Sequence, residues 1–437
     1  MSPNVILVAM FAGLAIFLLT GLPVAFVLGG LSILFIVLFW DPNALIIVVL
    51  QIFDTMRSES LLAIPLYIFM AILLQRSGVI EDLYRAMEMW FGRLRGGLAV
   101  GTVVICVVMA AMTGVVGAAV TAMGILALPE MLRRGYDPKL ATGTICASGT
   151  LGILIPPSIL TIVYAVTAQV SIGTMLIAGI VPGILLATLY TGYILISAWL
   201  DPTKAPAPAD MPDVTWRKKL GVLTTLILPT AIIVMVLGSI FFGIATPTEA
   251  AAVGVAGAAL AAALRGKLRL SMLTDASMET LKATSMILWI TVGAKAYVAI
   301  FTSLGGADAL LGAIEGLEVS PYLVLAAMML ILIFLGTVLD EIGIILLTVP
   351  VFLPVVHSLG FDQVWFGVLF AMTIQMGYIS PPFGYTLFYI KATLPPQLTM
   401  ATVYRGILPF FLLQFVGLLI LVAFPKLATF LPALMVN

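Results

Sequence analysis

Gly152-Ile-Leu-Ile-Pro-Pro157 returns as Gly377-Tyr-Ile-Ser-Pro-Pro382, 225 positions later, each time inside an apolar stretch long enough to cross a bilayer. Proline removes a backbone donor and its ring disturbs the preceding turn, so carbonyls just upstream of Pro156 and Pro381 are predicted to lose their helical partners. Unwound backbone is tolerated at membrane depth only where protein or a cavity surrounds it. Two breaks at repeat-related positions therefore point to a binding site.

Composition sets the solvent. With 62% hydrophobic and 9% charged residues in 437, and a mean hydropathy of +1.22, nearly every segment reads as lipid-immersed. Cys106 and Cys146 lie inside apolar runs and read as small core residues, with no disulfide or redox pair implied. His357 is the only histidine, which excludes a multi-histidine metal centre. The apolar run beginning almost at Met1 lacks a basic region and a small-residue cleavage site, so it reads as a retained first helix.

Apolar runs of about 17–25 residues place spans near 3–20, 22–40, 60–77, 138–170, 172–199, 221–242, 246–264, 283–304, 363–394 and 398–424, with breaks at Pro156-Pro157 and Pro381-Pro382. Residues 97–133 and 320–357 are each too long for one crossing and too interrupted for a straight helix. The first turns at Thr113-Gly-Val-Val-Gly117, the second from Gly336-Thr337 through Asp340-Glu341. Each is expected to be a re-entrant hairpin with its tip buried in protein.

Charge tests this topology, because Lys and Arg collect on the cytoplasmic side. If neither hairpin crosses, 17 of the 20 basic residues fall on one face, among them Arg76, Arg93, Arg134, Lys204, Arg265 and Lys391. Arg57 and Lys426 fall opposite and Lys295 lies within a span, so both termini are expected to be periplasmic or extracellular in a multi-pass membrane protein. If the first hairpin crossed, the bias would collapse.

The repeat extends beyond the opening motif. Pro129 with Pro354, Gly135 with Gly360, Asp137 with Asp362 and Thr161 with Thr386 are all 225 apart. Five crossings in the first half make the second start from the opposite side, an inverted-topology repeat of the kind that places transporter sites at the repeat interface. The expected fold class is thus an all-α polytopic membrane protein with two re-entrant hairpins and two broken transmembrane helices. Residues 1–200 form the first repeat, 201–219 a Pro-rich charged cytoplasmic linker, and 220–437 the second repeat.

Freed carbonyls suit a hard cation such as sodium, and Ser148, Thr150, Ser158, Thr373 and Ser380 stand close enough in sequence to add hydroxyl oxygens. Those hydroxyls can instead bond back to their own helices. At the hairpin tips, glycines permit close approach, and the returning helix starts with unpaired N–H groups that can receive a carboxylate. Asp340 reads either as the N-cap of that helix or as a cation ligand. Glu249, in the first turn after Pro247, reads as structural. Lys295 could pair with an acid, attract an anionic substrate or snorkel. Arg57 and Glu59 flank an amphipathic stretch, 43–56, that reads as an interfacial arm.

Arg134-Gly-Tyr-Asp-Pro-Lys139 leading to Gly149-Thr-Leu-Gly-Ile-Leu-Ile-Pro-Pro-Ser158, Gly243-Ile-Ala-Thr-Pro-Thr-Glu-Ala-Ala-Ala252 and Leu339-Asp-Glu-Ile-Gly-Ile-Ile-Leu-Leu-Thr-Val-Pro350 closely resemble the large membrane subunit of tripartite ATP-independent periplasmic (TRAP) transporters. The resemblance covers essentially the whole chain. It implies a sodium-coupled importer working as an elevator, with transport and scaffold domains. It also implies a separate four-helix small membrane subunit and a periplasmic substrate-binding protein that delivers an organic acid. Carried onto this chain, one sodium site would use Thr113, Gly114, Gly117 and Ala118 with Ser148, Gly149, Gly152 and Leu154. The other would use Gly336, Asp340 and Gly343 with Gln375, Met376, Gly377 and Ile379. The substrate would lie between them against Thr121, Pro156, Pro157, Ser158, Thr348, Pro381, Pro382 and Thr386. Glu341 beside Asp340 departs from the expected pattern. A standalone sodium/dicarboxylate symporter of the same superfamily is the nearest alternative. An intramembrane enzyme is disfavoured, since no Ser/His, paired-aspartate or metal constellation lies at depth.

Overall fold

Apolar runs of this length become helices because lipid offers no partner to a backbone amide. The computed structural model describes residues 3–91, 94–207, 215–316, 319–381 and 384–435, and over these it contains helices and no strand. Arg93, Pro382 and linker residues 208–214 lie outside the described residues.

The first half contributes α1 (Pro3–Leu19), α2 (Val24–Phe39), α3 (Leu45–Met56), α4 (Ala63–Arg76) and α5 (Val79–Phe91). There follow α6 (Gly97–Thr113), α7 (Val116–Arg133), α8 (Pro138–Gly149), α9 (Ile159–Ala168), α10 (Ile172–Ala178) and α11 (Ile180–Leu200). The second half contributes α12 (Trp216–Phe241), α13 (Pro247–Leu264), α14 (Leu270–Ser303), α15 (Gly306–Glu315), α16 (Pro321–Gly336) and α17 (Glu341–Ser358). It ends with α18 (Gln363–Tyr378), α19 (Tyr385–Lys391) and α20 (Met400–Ala423).

Both expected hairpins are present as α6–α7 and α16–α17, and both broken helices as α8–α9 and α18–α19. Seven helices among the described residues are long and apolar enough to cross a membrane. The outgoing helices α6 and α16, with 17 and 16 residues, are shorter; at about 1.5 Å per residue neither matches a hydrocarbon core of about 30 Å. Gly114, with φ +57°, ends α6 in the left-handed conformation and turns the chain within two residues. Asp340 ends the second turn by capping α17, accepting from the Ile342 and Gly343 amides at 3.2 Å each.

Two boundaries differ from the sequence reading. The span expected at 283–304 is the second part of α14, a continuous helix of 34 residues that starts at Leu270. No Gly or Pro interrupts 270–282, whereas the matching arm and span of the first half are separated around Arg57–Leu62. The expected span 172–199 divides at Gly179, where the Leu154 carbonyl packs so closely that a Cβ would lie 2.1 Å from its oxygen. The amphipathic helix α5 and the short α15 were not anticipated.

Side-chain pairs sort the loops between two ends of the molecule. Arg76 pairs with Asp275 and Glu279 at 3.4 and 3.1 Å, Arg265 with Asp82, and Arg134 with Glu88 and Glu130. The linker joins this end, since Gly96 N–H donates to the Ala205 carbonyl and Asp137 N–H to that of Lys204. The start of α6 and the end of α7 therefore sit together, tied by the Leu98 amide donating to the Tyr136 hydroxyl at 3.2 Å. Helices α4, α13 and α14 connect this end to the opposite one. There Lys295 pairs with Asp54, and the second hairpin begins and ends with Tyr322 and Phe361 in ring contact at 5.7 Å. The two hairpins thus open towards opposite ends.

Candidate functional site

At the first junction the α6–α7 tip lies against the α8–α9 break. A Cβ on Gly114 would lie 2.5 Å from the Pro157 carbonyl oxygen and 3.3 Å from the Ser158 Cα. Gly152 faces the Val115 amide and the Gly114 carbonyl carbon at ordinary distances, 3.6 and 3.7 Å from an added Cβ. Gly149 meets Val120 of α7. Thr113, Gly114, Gly117, Ser148, Gly149, Gly152, Pro156, Pro157 and Ser158 are buried together here, while Ala118 and Thr121 on α7 are partly covered. Leu154 is the exception, its carbonyl facing Gly179 away from the tip.

The hydroxyls mostly serve their own backbone. Thr113 donates to the Met109 carbonyl and Ser148 to that of Thr144. Ser158 caps α9 through the Thr161 amide and donates to the Ile153 carbonyl. One carbonyl expected to be freed upstream of Pro156 is thus already bonded, although a carbonyl keeps a second lone pair.

The second junction is tighter. A Cβ on Gly377 would lie 2.8 Å from the Gly336 Cα and 2.9 Å from the Ile333 carbonyl oxygen, so α16 and α18 touch backbone to backbone through two glycines. Ser380 donates to the Met376 carbonyl at 2.6 Å, and Thr386 reaches across the break to the Tyr378 carbonyl at 2.9 Å. Ile379 is fully buried between them and Pro381 is exposed. Gln375 is fully buried, and neither atom of its amide has a hydrogen-bond partner among the described residues. Gly343 lies one turn into α17, beside the Asp340 carboxylate. Of the two acids, Asp340 is therefore the one occupied as an N-cap.

Thr348 stands apart from both junctions. Its hydroxyl returns to the Ile344 carbonyl, and it lines an apolar cavity of about 600 Å³ between the second hairpin, α1 and α15.

Sequence reading missed a set of tyrosines connecting the junctions. Tyr378, next to Gly377, stacks on Tyr385 with ring centroids 4.9 Å apart. Tyr385 meets Tyr389 edge-on at 5.1 Å, their hydroxyls 3.0 Å apart. The Tyr389 ring covers Gly117, where an added Cβ would be 2.4 Å from ring carbon. The i,i+4 spacing of Tyr385 and Tyr389 is visible in sequence; their seat over the first hairpin is not. Gln414 of α20 was also missed; its amide donates to the Thr150 hydroxyl at 3.2 Å and anchors the first break.

A separate polar cavity of about 1180 Å³ opens at the end opposite the basic loops, between α3, the head of α13, α14, the α9–α10 turn and α17. Asp54, Arg57, Glu59, Glu249 and Lys295 are its charged lining. Glu249 forms a capping box with Thr246, accepting from its amide at 2.8 Å and its hydroxyl at 2.9 Å; the sequence alone reads it as structural through the helix dipole, without the box.

Residues 11–427 match the model of the tripartite ATP-independent periplasmic transporter, DctM component. The C4-dicarboxylate TRAP transporter large permease protein DctM of Pseudomonas aeruginosa is 33% identical over 404 residues, 92% of this chain and 93% of its own. The ectoine/5-hydroxyectoine TRAP transporter large permease protein UehC of Ruegeria pomeroyi is 33% identical over 427 residues, covering 96% and 97%. In fold the chain resembles the crystal structure of the Alcanivorax borkumensis YdaH transporter, with a TM-score of 0.65 at 17% identity, over 98% of this chain and all of that one. A polytopic helical chain with two hairpin–break junctions, matched over nearly its full length, belongs to the DctM family of TRAP transporter large permeases and is a transporter, not an enzyme.

Proposed function

We propose that the chain is the large permease of a sodium-coupled importer of organic acids, fed by a periplasmic binding protein and completed by a small membrane subunit. Its two halves are read as an inverted-topology repeat in the inner membrane, the basic end cytoplasmic and both termini periplasmic. Support comes from the shared element order of 97–168 and 321–391 and from the opposite openings of the two hairpins.

The observation that carries the sodium reading is the pair of junctions where a glycine tip meets a broken helix. The second holds an orphaned amide, Gln375, whose desolvation would cost about 1–3 kcal/mol unsatisfied. A hard cation that prefers oxygen ligands would take its carbonyl oxygen together with backbone carbonyls of the Met376–Ile379 segment. At the first junction the Pro157 carbonyl and the Thr113 and Ser148 hydroxyls offer a comparable oxygen set. In the elevator reading both junctions move together with the bound acid, past a scaffold that includes α2, α4, α13 and α14.

The acid itself is proposed from the names of the relatives, one a C4-dicarboxylate and one an ectoine permease. The test is uptake of radiolabelled succinate, malate, fumarate and ectoine into proteoliposomes containing chain, small subunit and binding protein, with sodium or potassium outside. Uptake should require sodium and both partners. Equal uptake in potassium removes the ion reading, and full uptake by this chain alone favours the standalone symporter.

A further inference from the structure

We propose that Lys295 is a carboxylate-receiving residue in the polar cavity at the end opposite the basic loops, and that Asp54 is a place-holder which the arriving acid displaces. The inference rests on the organic-acid reading above and names where the acid is first held.

The cavity's charges are not equivalent. Glu249 is committed to the α13 capping box. Glu59 heads a short 3-10 turn and is exposed. Arg57 is exposed and has no ion-pair partner among the described residues. Lys295 is different, because it projects from the last third of the long helix α14, where its side chain is 30% exposed. A cation held on a membrane helix needs an anion beside it. Asp54 supplies one, but from arm α3 with its own side chain 67% exposed.

That asymmetry makes the pair exchangeable. Asp54 can turn to water at little cost, because it is already largely hydrated; Lys295 can release it only to another anion. A substrate carboxylate then takes over the pairing with Lys295, while the released Asp54 carboxylate, with its side chain already 67% exposed, is compensated by water. Arg57, which caps the same helix α3 three residues beyond Asp54, adds a second cation to the lining without an ion-pair partner among the described residues. At about 1180 Å³ the cavity exceeds the roughly 300–1,000 Å³ of an ordinary small-molecule pocket, which suits a wet receiving chamber better than a tight final site. Its walls come from α3, the head of α13 and α14 on one side and from α9, α10 and α17 on the other. An acid received there stands beside the second hairpin, whose α17 lends Leu346 and Pro350 to the lining.

The test uses two substitutions that break the same ion pair. Lys295→Gln and Asp54→Asn are compared with wild type in the complete reconstituted system, with whichever of succinate, malate, fumarate and ectoine the wild type carries. If the pair merely braces the arm, both variants should shift KM in the same direction. If Lys295 receives the carboxylate and Asp54 competes for it, Lys295→Gln should raise KM about tenfold and Asp54→Asn should lower it, each with kcat and sodium dependence little changed. Lys295→Arg should restore most of the affinity. An unchanged KM in Lys295→Gln, or parallel shifts in both variants, overturns the inference while leaving the transport reading intact. Failure of the wild type to carry any of the four overturns the organic-acid reading and the inference with it.

Discussion

Replacing Gly377 by alanine tests whether the second junction is a working part or only a crowded crossing. The new methyl carbon would sit 2.8 Å from the Gly336 Cα and 2.9 Å from the Ile333 carbonyl oxygen. Ordinary carbon contacts lie at about 3.5–4.0 Å, so α16 and α18 must part by roughly an ångström, and both obstacles are backbone that no rotamer change can move. Overpacking of this kind costs about 1–3 kcal/mol, or roughly 5- to 150-fold in any equilibrium that needs the junction closed. Gly152 supplies the control, because it holds the same place in the other Gly-x-x-x-Pro-Pro motif. Its added methyl would find its nearest atoms at 3.6–3.8 Å, an ordinary contact. Gly377→Ala should therefore weaken sodium activation of uptake at least fivefold and lower the thermal midpoint, while Gly152→Ala stays within about twofold of wild type. Sodium titrations of uptake, with thermal unfolding of each purified variant, read both effects. A Gly377→Ala protein with wild-type sodium dependence would refute the role given to this junction. Equal losses in both variants would show that the motif, not the packing, governs.

Gly117→Ala should abolish uptake by pushing the Tyr389 ring aside, with assembly preserved; Tyr389→Ala in the same chain should restore part of it, and absence of rescue would break the proposed link between tyrosines and tip. Asp340→Ala removes an N-cap that accepts from two amides and should cost about 0.5–2 kcal/mol of stability, read as a lower thermal midpoint. Asp340→Asn can still cap, so it should keep the stability; if it nonetheless loses sodium-dependent uptake, the carboxylate charge has a second role.

Much of the architecture is legible in the residues. The breaks at Pro156 and Pro381 follow from the missing amide of proline, and the hairpins from glycine and polar residues inside apolar runs too long for one crossing. Several of the basic residues placed on one face by charge counting, Arg76, Arg134 and Arg265, do meet acids at one end, Asp275, Glu88 and Asp82 among them. An N-cap is one of the two readings that Asp340 allows, because a cap is made within one turn of chain, and Glu249 reads as an acid meeting the helix dipole, without its box to Thr246.

What depends on distant segments was not readable. Gly152 and Gly377 look equivalent in sequence, yet one faces open turn backbone and the other is pressed against Gly336. Leu154, assigned to the first site, turns its carbonyl to Gly179, and Thr348 faces an apolar cavity. Tyr389 reaches Gly117 from 272 positions away, and Lys295 finds Asp54 across 241. The sequence by itself determined which segments are helical, where they break and which loops carry charge, since those follow from backbone chemistry and solvent. Only the tertiary structure decided which oxygen faces which glycine and which acid answers Lys295, because such contacts depend on how helices cross, and a shift of an ångström exchanges one partner for another.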